Sequence, residues 1–271
     1  MTAVLQDYTF RQLRDFIYEK SGIFIPDTKK CLLENRLSKR IQEKNLNGFE
    51  DYLYLLRYGR NDSELSRLYD SITTNETFFF REPQQFEVLI DHVIPEITRR
   101  NGTRGIRLWS AACATGEEPY TITMLFMERK PGIKADVTAS DISNGVLESA
   151  KRAVYGSYSV RNVPEPYLRK YFRLKGHSYE LEPSVRNSVR FMNINFLDEK
   201  KMRTMCNFDV IFCRNVLIYF DDKAKQKVVS FLYHSMRPGG VLFIGSSESL
   251  HNITRAFRPV IMNKVVMYQR S

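Results

Sequence analysis

Cysteine is scarce in this chain, and the four present, Cys31, Cys113, Cys206 and Cys213, stand far apart with no CxxC pair. That spacing excludes a disulfide framework and paired-thiolate metal binding. It predicts a reduced, cytoplasmic protein with no metal. No apolar stretch reaches bilayer length: the longest, 208-FDVIFCRNVLIYF-220, is broken by Arg214 and Asn215, which excludes a membrane span. The opening run TAVLQDYTFRQ lacks the apolar core of a signal peptide. Internal repeats are absent too, and 43% hydrophobic with 27% charged residues is an ordinary globular balance rather than a disordered one. What is in excess is positive charge. A net +10 and a pI near 9.4 point to an anionic partner, with nucleic acid, acidic membrane and acidic protein all open on charge alone.

Residues 1 to about 70 read as helical. In 28-TKKCLLENRLSKRIQEKNLNG-48, Leu33, Leu37 and Ile41 recur at i, i+4 and i+8, and Asn47-Gly48 supplies a stop. FEDYLYLLRYG and SELSRLYDSIT continue the pattern, giving a small all-α N-terminal domain over 1–72. A linker over 73–90 carries 75-NETFFFRE-82. From Ile106 the texture changes to short apolar runs alternating with helical ones: IRLWSAA, ADVTASD, VRFMNINF, FDVIFCRN and GVLFIGSS. That alternation predicts an α/β, doubly wound, mostly parallel sheet buried on both faces, filling 91–271. The chain after Phe257 has no room for a crossover helix, so an antiparallel edge strand is expected there. The segment 171–191 interrupts the alternation and is expected to form a small β insertion.

Ligands of such sheets sit beyond the carboxyl ends of the strands. The first strand ends in 110-SAACATGEEPYT-121, which is not GxGxxG, since only one glycine is present. Ala111, Ala112, Ala114 and Gly116 let the turn approach a ligand closely. Glu117 and Glu118 stand where a pyrophosphate would sit and would repel it. Either they serve the helix dipole or they receive an ammonium group. Asp141 ends the second strand, where nucleoside-binding folds bond ribose hydroxyls; the alternative is a cap for the next helix. A nucleoside with an amine and no pyrophosphate describes S-adenosylmethionine, with a dinucleotide dehydrogenase as the runner-up. Asn195 and Phe196 offer an amide and a ring to an adenine. Arg214 and Asn215, polar at the tip of a buried strand, are costly unless they serve a site. Tyr219 has the face that a sulfonium favours, or packs beneath the next helix.

These stretches, NETFFFRE, SAACATGEEPYT, ASDIS and FDVIFCRNVLIYF behind a helical N-terminal domain, closely resemble the bacterial chemotaxis receptor methyltransferases of the CheR type over nearly the whole chain. The resemblance implies transfer of methyl from S-adenosylmethionine to glutamate side chains on chemoreceptor helices, with S-adenosylhomocysteine as product. It places Asn75, Thr77, Arg81, Glu118, Asp141, Asn195, Phe196, Cys213 and Arg214 at cofactor-contacting positions. Asn215 lies beside them and joins them through its side chain, and Arg81 and Tyr219 stand nearest the transferred methyl. A glutamate acceptor is already ionised at neutral pH and needs no general base. It needs desolvation and aim, which Phe78-Phe79-Phe80 are expected to supply as a wall and Arg81 as a charge-assisted fork. The carboxylate on that fork is either the acceptor's or the methionine end of the cofactor.

The same resemblance makes the basic residues of the second helix, Arg36, Lys39, Arg40 and Lys44, the expected seat of an acidic helical partner, because all four share one helix sector. Some family members grip a receptor's C-terminal tether with a β-subdomain. The insertion here has the single glycine Gly176, so recognition independent of a tether is expected, by a monomer that binds no nucleic acid and does not insert in the membrane. An RNA methyltransferase and a non-catalytic binding module of the same fold are the competing readings. An RNA enzyme would show strong salt dependence and a base-specific pocket.

Overall fold

The first helix, α1 (Asp7–Ser21), buries Phe10, Leu13, Phe16 and Ile17, the spacing of one helical face. It stops at Gly22, which takes φ +75 so that its N–H can return 2.7 Å to the Tyr18 carbonyl. In the computed structural model, which describes residues 4–59, 62–102 and 104–271, α1 packs with α2 (Lys30–Glu43), α3 (Phe49–Tyr58) and α4 (Asp62–Ile72). Leu33, Leu37 and Ile41 of α2 are buried as their spacing requires, against Phe49, Tyr52 and Leu68 among others.

The basic sector of α2 departs from the expected docking strip. Because it borders the apolar stripe, it turns toward α4 rather than toward solvent. Arg40 donates at 2.7 Å to Glu64, a carboxylate only 1% exposed, and Lys44 reaches the same group at 3.2 Å. The Tyr52 hydroxyl donates to it at 3.0 Å. Arg36 donates to the Ile72 carbonyl and, at 2.9 Å, to Thr74 Oγ1. Lys44 stays exposed as it reaches Glu64, and Lys39, its side chain 82% exposed, has among the described residues no partner closer than Glu43 at 3.8 Å on its own helix. Net charge adds little here, since residues 1–73 carry 12 Lys and Arg against 11 Asp and Glu. The chain's excess of positive charge belongs to residues 74–271.

Two helices, α5 (Pro83–Val88) and α6 (Ile94–Asn101), lead into the sheet. Its strands begin with β1 (Ile106–Ala111), then α7 (Glu117–Arg129), β2 (Ala135–Asp141) and α8 (Asn144–Arg152). A small three-stranded sheet intervenes, made of β3 (Val154–Tyr155), β4 (Phe172–Lys175) and β5 (Ser178–Leu181) in the order β3-β5-β4. The main sheet resumes with β6 (Val189–Asn193), β7 (Phe208–Cys213), β8 (Met236–Ile244), β9 (Phe257–Met262) and β10 (Val265–Arg270). Its order is β6-β2-β1-β7-β8-β10-β9, parallel through β8 and antiparallel at β10 and β9. Alternate residues feed opposite faces: Leu108, Val210, Phe212 and Phe243 enter one core, and Trp109, Ile211, Cys213 and Leu242 the other. Within 171–191 the hairpin itself is β4–β5, and the last residues already belong to β6, the outer parallel strand. Among the described residues no helix is long and apolar enough to cross a membrane.

Strand order reverses between β1 and β7, and that switch point is where a doubly wound sheet opens its ligand crevice. The helical domain lies over this end. Asp70 of α4 accepts the Ser143 hydroxyl at 2.6 Å and the Gly145 N–H at 2.9 Å, both at the start of α8. Phe24 donates its N–H at 2.8 Å to the Tyr219 carbonyl, beside an antiparallel bridge from Ile23 to Phe220.

Burial pushes the Glu64 carboxyl up, but bonds from Arg40, Lys44 and Tyr52 outweigh it and hold the group below the ordinary 4.5. A depressed carboxyl stabilises the fold above its unfolded pKa, and that contribution disappears as pH falls through the folded value. The helical domain should therefore lose stability below about pH 4.5. Glu64→Gln should cost about 3 kcal/mol at neutral pH, because Arg40 loses its buried counterion and keeps only the more exposed Glu43, and should flatten the acid dependence. Urea unfolding at several pH values checks both.

Candidate active site

The segment before α5 makes the first wall. Asn75, Glu76, Thr77, Phe78 and Arg81 line a crevice between the helical domain and the carboxyl ends of the strands, about 1070 Å³ including its open mouth. Of the three phenylalanines only Phe78 reaches it. The chain turns at Phe79 and Phe80, with Phe80 in left-handed backbone, and carries both rings into the core, so the expected triple wall does not form. Phe79 is fully buried, edge-on to Tyr155 and Phe172, and Phe80 packs on Tyr167. Arg81 sits between two residues with left-handed backbone, Phe80 (φ +57) and Glu82 (φ +58). For side chains of this size that conformation costs on the order of 1–3 kcal/mol each and persists only where neighbours enforce it. The Phe80 N–H on Thr121 Oγ1 at 3.2 Å is one such constraint. The result aims Arg81 across the Phe78 ring, with Cζ 5.8 Å from its centre. One guanidinium nitrogen donates to the Glu76 carbonyl at 2.9 Å.

The turn after β1 makes the second wall. Ala112, Ala114 and Gly116 all have positive φ. At Gly116 a Cβ would stand 2.9 Å from Ala150 Cβ, which explains the glycine. The two glutamates after it separate. Glu117 is buried away from the crevice, holding Thr115 Oγ1 at 2.7 Å and Ser159 Oγ at 3.0 Å, and burial pushes its carboxyl up. Glu118 lines the crevice, accepting from Ser110 Oγ at 2.6 Å and Arg214 Nη1 at 3.0 Å.

Asp141 lies at the crevice floor, 6% exposed. Its oxygens accept the Ala114 and Ser143 N–H groups, each at 3.0 Å. Burial pushes its carboxyl up, and those backbone bonds oppose the shift. The cap of α8 is a different residue: Ser143 Oγ accepts the Val146 N–H. Asp141 is thus fixed by one bond per oxygen, each with acceptor capacity left for a hydroxyl.

Asn195 lines the crevice, but its amide also ties the domains together, donating at 2.6 Å to the Lys20 carbonyl and accepting the Leu197 N–H at 2.9 Å. Phe196 lines it edge-on to Trp109 and Phe220. Cys213 does not line it. Strand alternation turns its side chain into the core beside Ile211, fully buried, and its thiol is pushed well up. Arg214, Asn215 and Tyr219, just past the strand, do line it. Arg214 binds the Arg81 carbonyl at 2.7 Å and Glu82 at 3.1 Å as well as Glu118. Its buried Nε has no acceptor among the described residues.

The composition of this lining suits S-adenosylmethionine. Asp141 can accept two hydroxyls, Glu118 an ammonium, and Arg81 a carboxylate, while Phe196, Ile142 and Ile194 offer apolar surface to a base. Arg36, Lys39, Arg40 and Lys44 lie outside the crevice. Sequence reasoning missed the share of the helical domain, Ser21, Ile23 and Ile72 through Thr74, because nothing local marks a residue that meets a ligand only across a domain boundary. It also missed Glu82 and Glu248, which grip loops rather than line the crevice. Asp141→Ala should weaken S-adenosylhomocysteine binding by about tenfold or more, through lost charge-assisted bonds. Calorimetric titration with a parallel melting curve checks this.

Residues 9–73 match the family described as CheR methyltransferase, all-alpha domain, and residues 75–266 match CheR methyltransferase, SAM binding domain. Chemotaxis protein methyltransferase 2 of Vibrio cholerae is 38% identical, over 98% of this chain and 94% of its own. A chemotaxis protein methyltransferase of Vibrio parahaemolyticus is 36% identical over 99% of both chains. That of Escherichia coli K12 is 36% identical, over 93% of this chain and 88% of its own. With both domains matched in order and near-full-length relatives, the chain belongs to the CheR methyltransferase family and is an S-adenosylmethionine-dependent methyltransferase of chemotaxis.

Proposed function

We propose that this protein methylates glutamate side chains on the cytoplasmic helices of chemoreceptors, forming glutamyl methyl esters. The observation that carries this reading is the state of the charged groups in the crevice. Its buried carboxylates already carry protein bonds, Glu118 from Arg214 and Ser110 and Asp141 from backbone N–H groups, and their remaining acceptor positions go to the cofactor, so neither is left as a general base. Arg81 presents a guanidinium with one protein hydrogen bond among the described residues. A site with its carboxylates engaged and an open fork favours an acceptor that arrives ionised and needs aim rather than deprotonation.

Bound S-adenosylmethionine supplies an electrophilic methyl on a sulfonium, which a carboxylate oxygen takes while sulfur keeps the bonding electron pair. The protein's residues then have separable tasks. Arg81 orients a carboxylate, the acceptor's or the methionine end of the cofactor, by a charge-assisted fork. Its attraction for an acceptor fades as the ester forms, so its contribution is positioning. Phe78 covers the reacting groups from water, and Tyr219 offers its ring to the positive sulfur. Asn75, Thr77, Glu118, Asp141, Asn195, Phe196, Arg214 and Asn215 hold the cofactor, and Cys213 acts only through the strand end it anchors.

Receptor choice falls to the helical domain, which forms one lip of the crevice. Within α2, Lys39 faces a partner, while Arg36, Arg40 and Lys44 stay in internal bonds. The tight β4–β5 turn at Gly176-His177 supports recognition without a tether. The working compartment on this reading is the cytoplasm, where receptor helices are reached.

Incubating the protein with methyl-labelled S-adenosylmethionine and chemoreceptor-bearing membranes should label the receptor, and mild base should release that label as methanol. Label that survives base would mark an N- or C-methyl product and defeat the reading. Arg81→Ala should slow transfer on the order of 100-fold, and its S-adenosylhomocysteine affinity assigns the fork: retained, it holds the acceptor's carboxylate; lost, the cofactor's.

A further inference from the structure

Glu248 lies in the turn after β8, outside the crevice lining. The turn is closed by its own N–H on the Gly245 carbonyl at 2.9 Å, which folds the side chain back over the strand ends. There the carboxylate collects three backbone N–H groups: Gly245 at 2.7 Å, Asn215 at 2.8 Å and Ile218 at 3.2 Å. Two of these belong to the loop after β7, the stretch that delivers Asn215 and Tyr219 to the crevice. Asn215 is held there with φ +56. The approach is close enough that a Cβ on Gly245 would sit 2.7 Å from Asn215 Nδ2 and 2.8 Å from Glu248 Oε2.

We propose that Glu248 is a positioning residue for methyl transfer, a carboxylate clamp that fixes the loop carrying Tyr219 against the end of β8. Three N–H donors on one carboxylate form a rigid, charge-assisted seat. The loop's other flank is pinned by Phe24, whose N–H bonds the Tyr219 carbonyl. Between these two anchors the short turn Leu217–Tyr219 has little freedom, so the Tyr219 ring stays where a reacting group would meet it. Loss of the clamp loosens aim and leaves the cofactor seat at Asp141, on the far side of β1, untouched.

This rests on the role proposed for Tyr219, and the test separates the two. Glu248→Gln keeps the shape but turns an amide N–H₂ toward backbone donors. Turnover, KM for receptor and S-adenosylhomocysteine affinity are measured for Glu248→Gln, Tyr219→Phe, Tyr219→Ala and the Glu248→Gln combinations. The expected result is kcat reduced on the order of 100-fold in Glu248→Gln, a far smaller loss of cofactor affinity because Asn215 is the one cofactor contact on the clamped loop, and no further loss of kcat when it is added to Tyr219→Ala. Gly245→Ala, which forces the same clamp apart from the opposite side, should reproduce the defect, and Glu248→Asp should recover part of it. Normal turnover in Glu248→Gln, a cofactor affinity that falls in step with kcat, or multiplying defects with Tyr219→Ala would each overturn the clamp. Parent-like turnover in both Tyr219 variants would overturn the reading of Tyr219 and, with it, any action of Glu248 through that ring. Should Glu248→Gln not fold, the Gly245→Ala result decides alone.

Discussion

One guanidinium organises the reaction end of this sheet. Arg214, its side chain 3% exposed, binds Glu118 at the start of α7, Glu82 ahead of α5, and the carbonyl of Arg81. Burying such a cation is expensive unless counterions meet it, as two carboxylates do here, and taking away one partner of a buried pair costs about 3–5 kcal/mol. The arginine thus holds the start of α7 and the 81–82 segment in register with the end of β7. Glu76, Glu118 and Asp141 of the lining stand against Arg81 and Arg214, so the crevice retains a slight negative bias. That bias favours a ligand bearing an ammonium and a sulfonium over one bearing phosphates.

The strain around Arg81 makes sense only beside this anchor. Phe80 and Glu82 hold left-handed backbone because Phe79 and Phe80 are locked into the core on one side while Arg214 grips the Arg81 carbonyl and Glu82 on the other. The aromatic run is therefore a device for twisting the chain, with Phe78 as its one surface contact to the crevice. Packing energy drawn from two buried rings is spent on the direction of a single arginine.

Much of this could be read from the chain before any coordinates. The strand pattern from Ile106 onward, the antiparallel ending after Phe257 and the polar tips at Asp141 and Arg214 follow from local rules, since buried strands and their ends have few sequence solutions. The failures share a cause. Helical periodicity places Arg36, Arg40 and Lys44 in one sector, but only the fold shows that Glu64 lies opposite. Adjacent glutamates look alike in sequence, yet Glu117 meets Ser159 from a distant turn while Glu118 meets Arg214. Three phenylalanines in a row announce burial without saying which ring faces a ligand. Glu248 carried a faint signal, an acid just past the end of a buried strand, which by itself describes any loop.

The bridge from Ile23 and Phe24 to Phe220 and Tyr219 bears on how such proteins can be recombined. The junction between the two family domains falls at residues 73–75, an inviting place to splice the helical half of one relative onto the sheet of another. The structural seam runs elsewhere. Part of the backbone that steadies Tyr219 belongs to the helical half, well upstream of that junction. A chimera joined at the sequence boundary would import a foreign support for its own reacting loop, so a swap intended to change receptor choice would alter turnover as well. The two halves are modular in sequence and shared in mechanism.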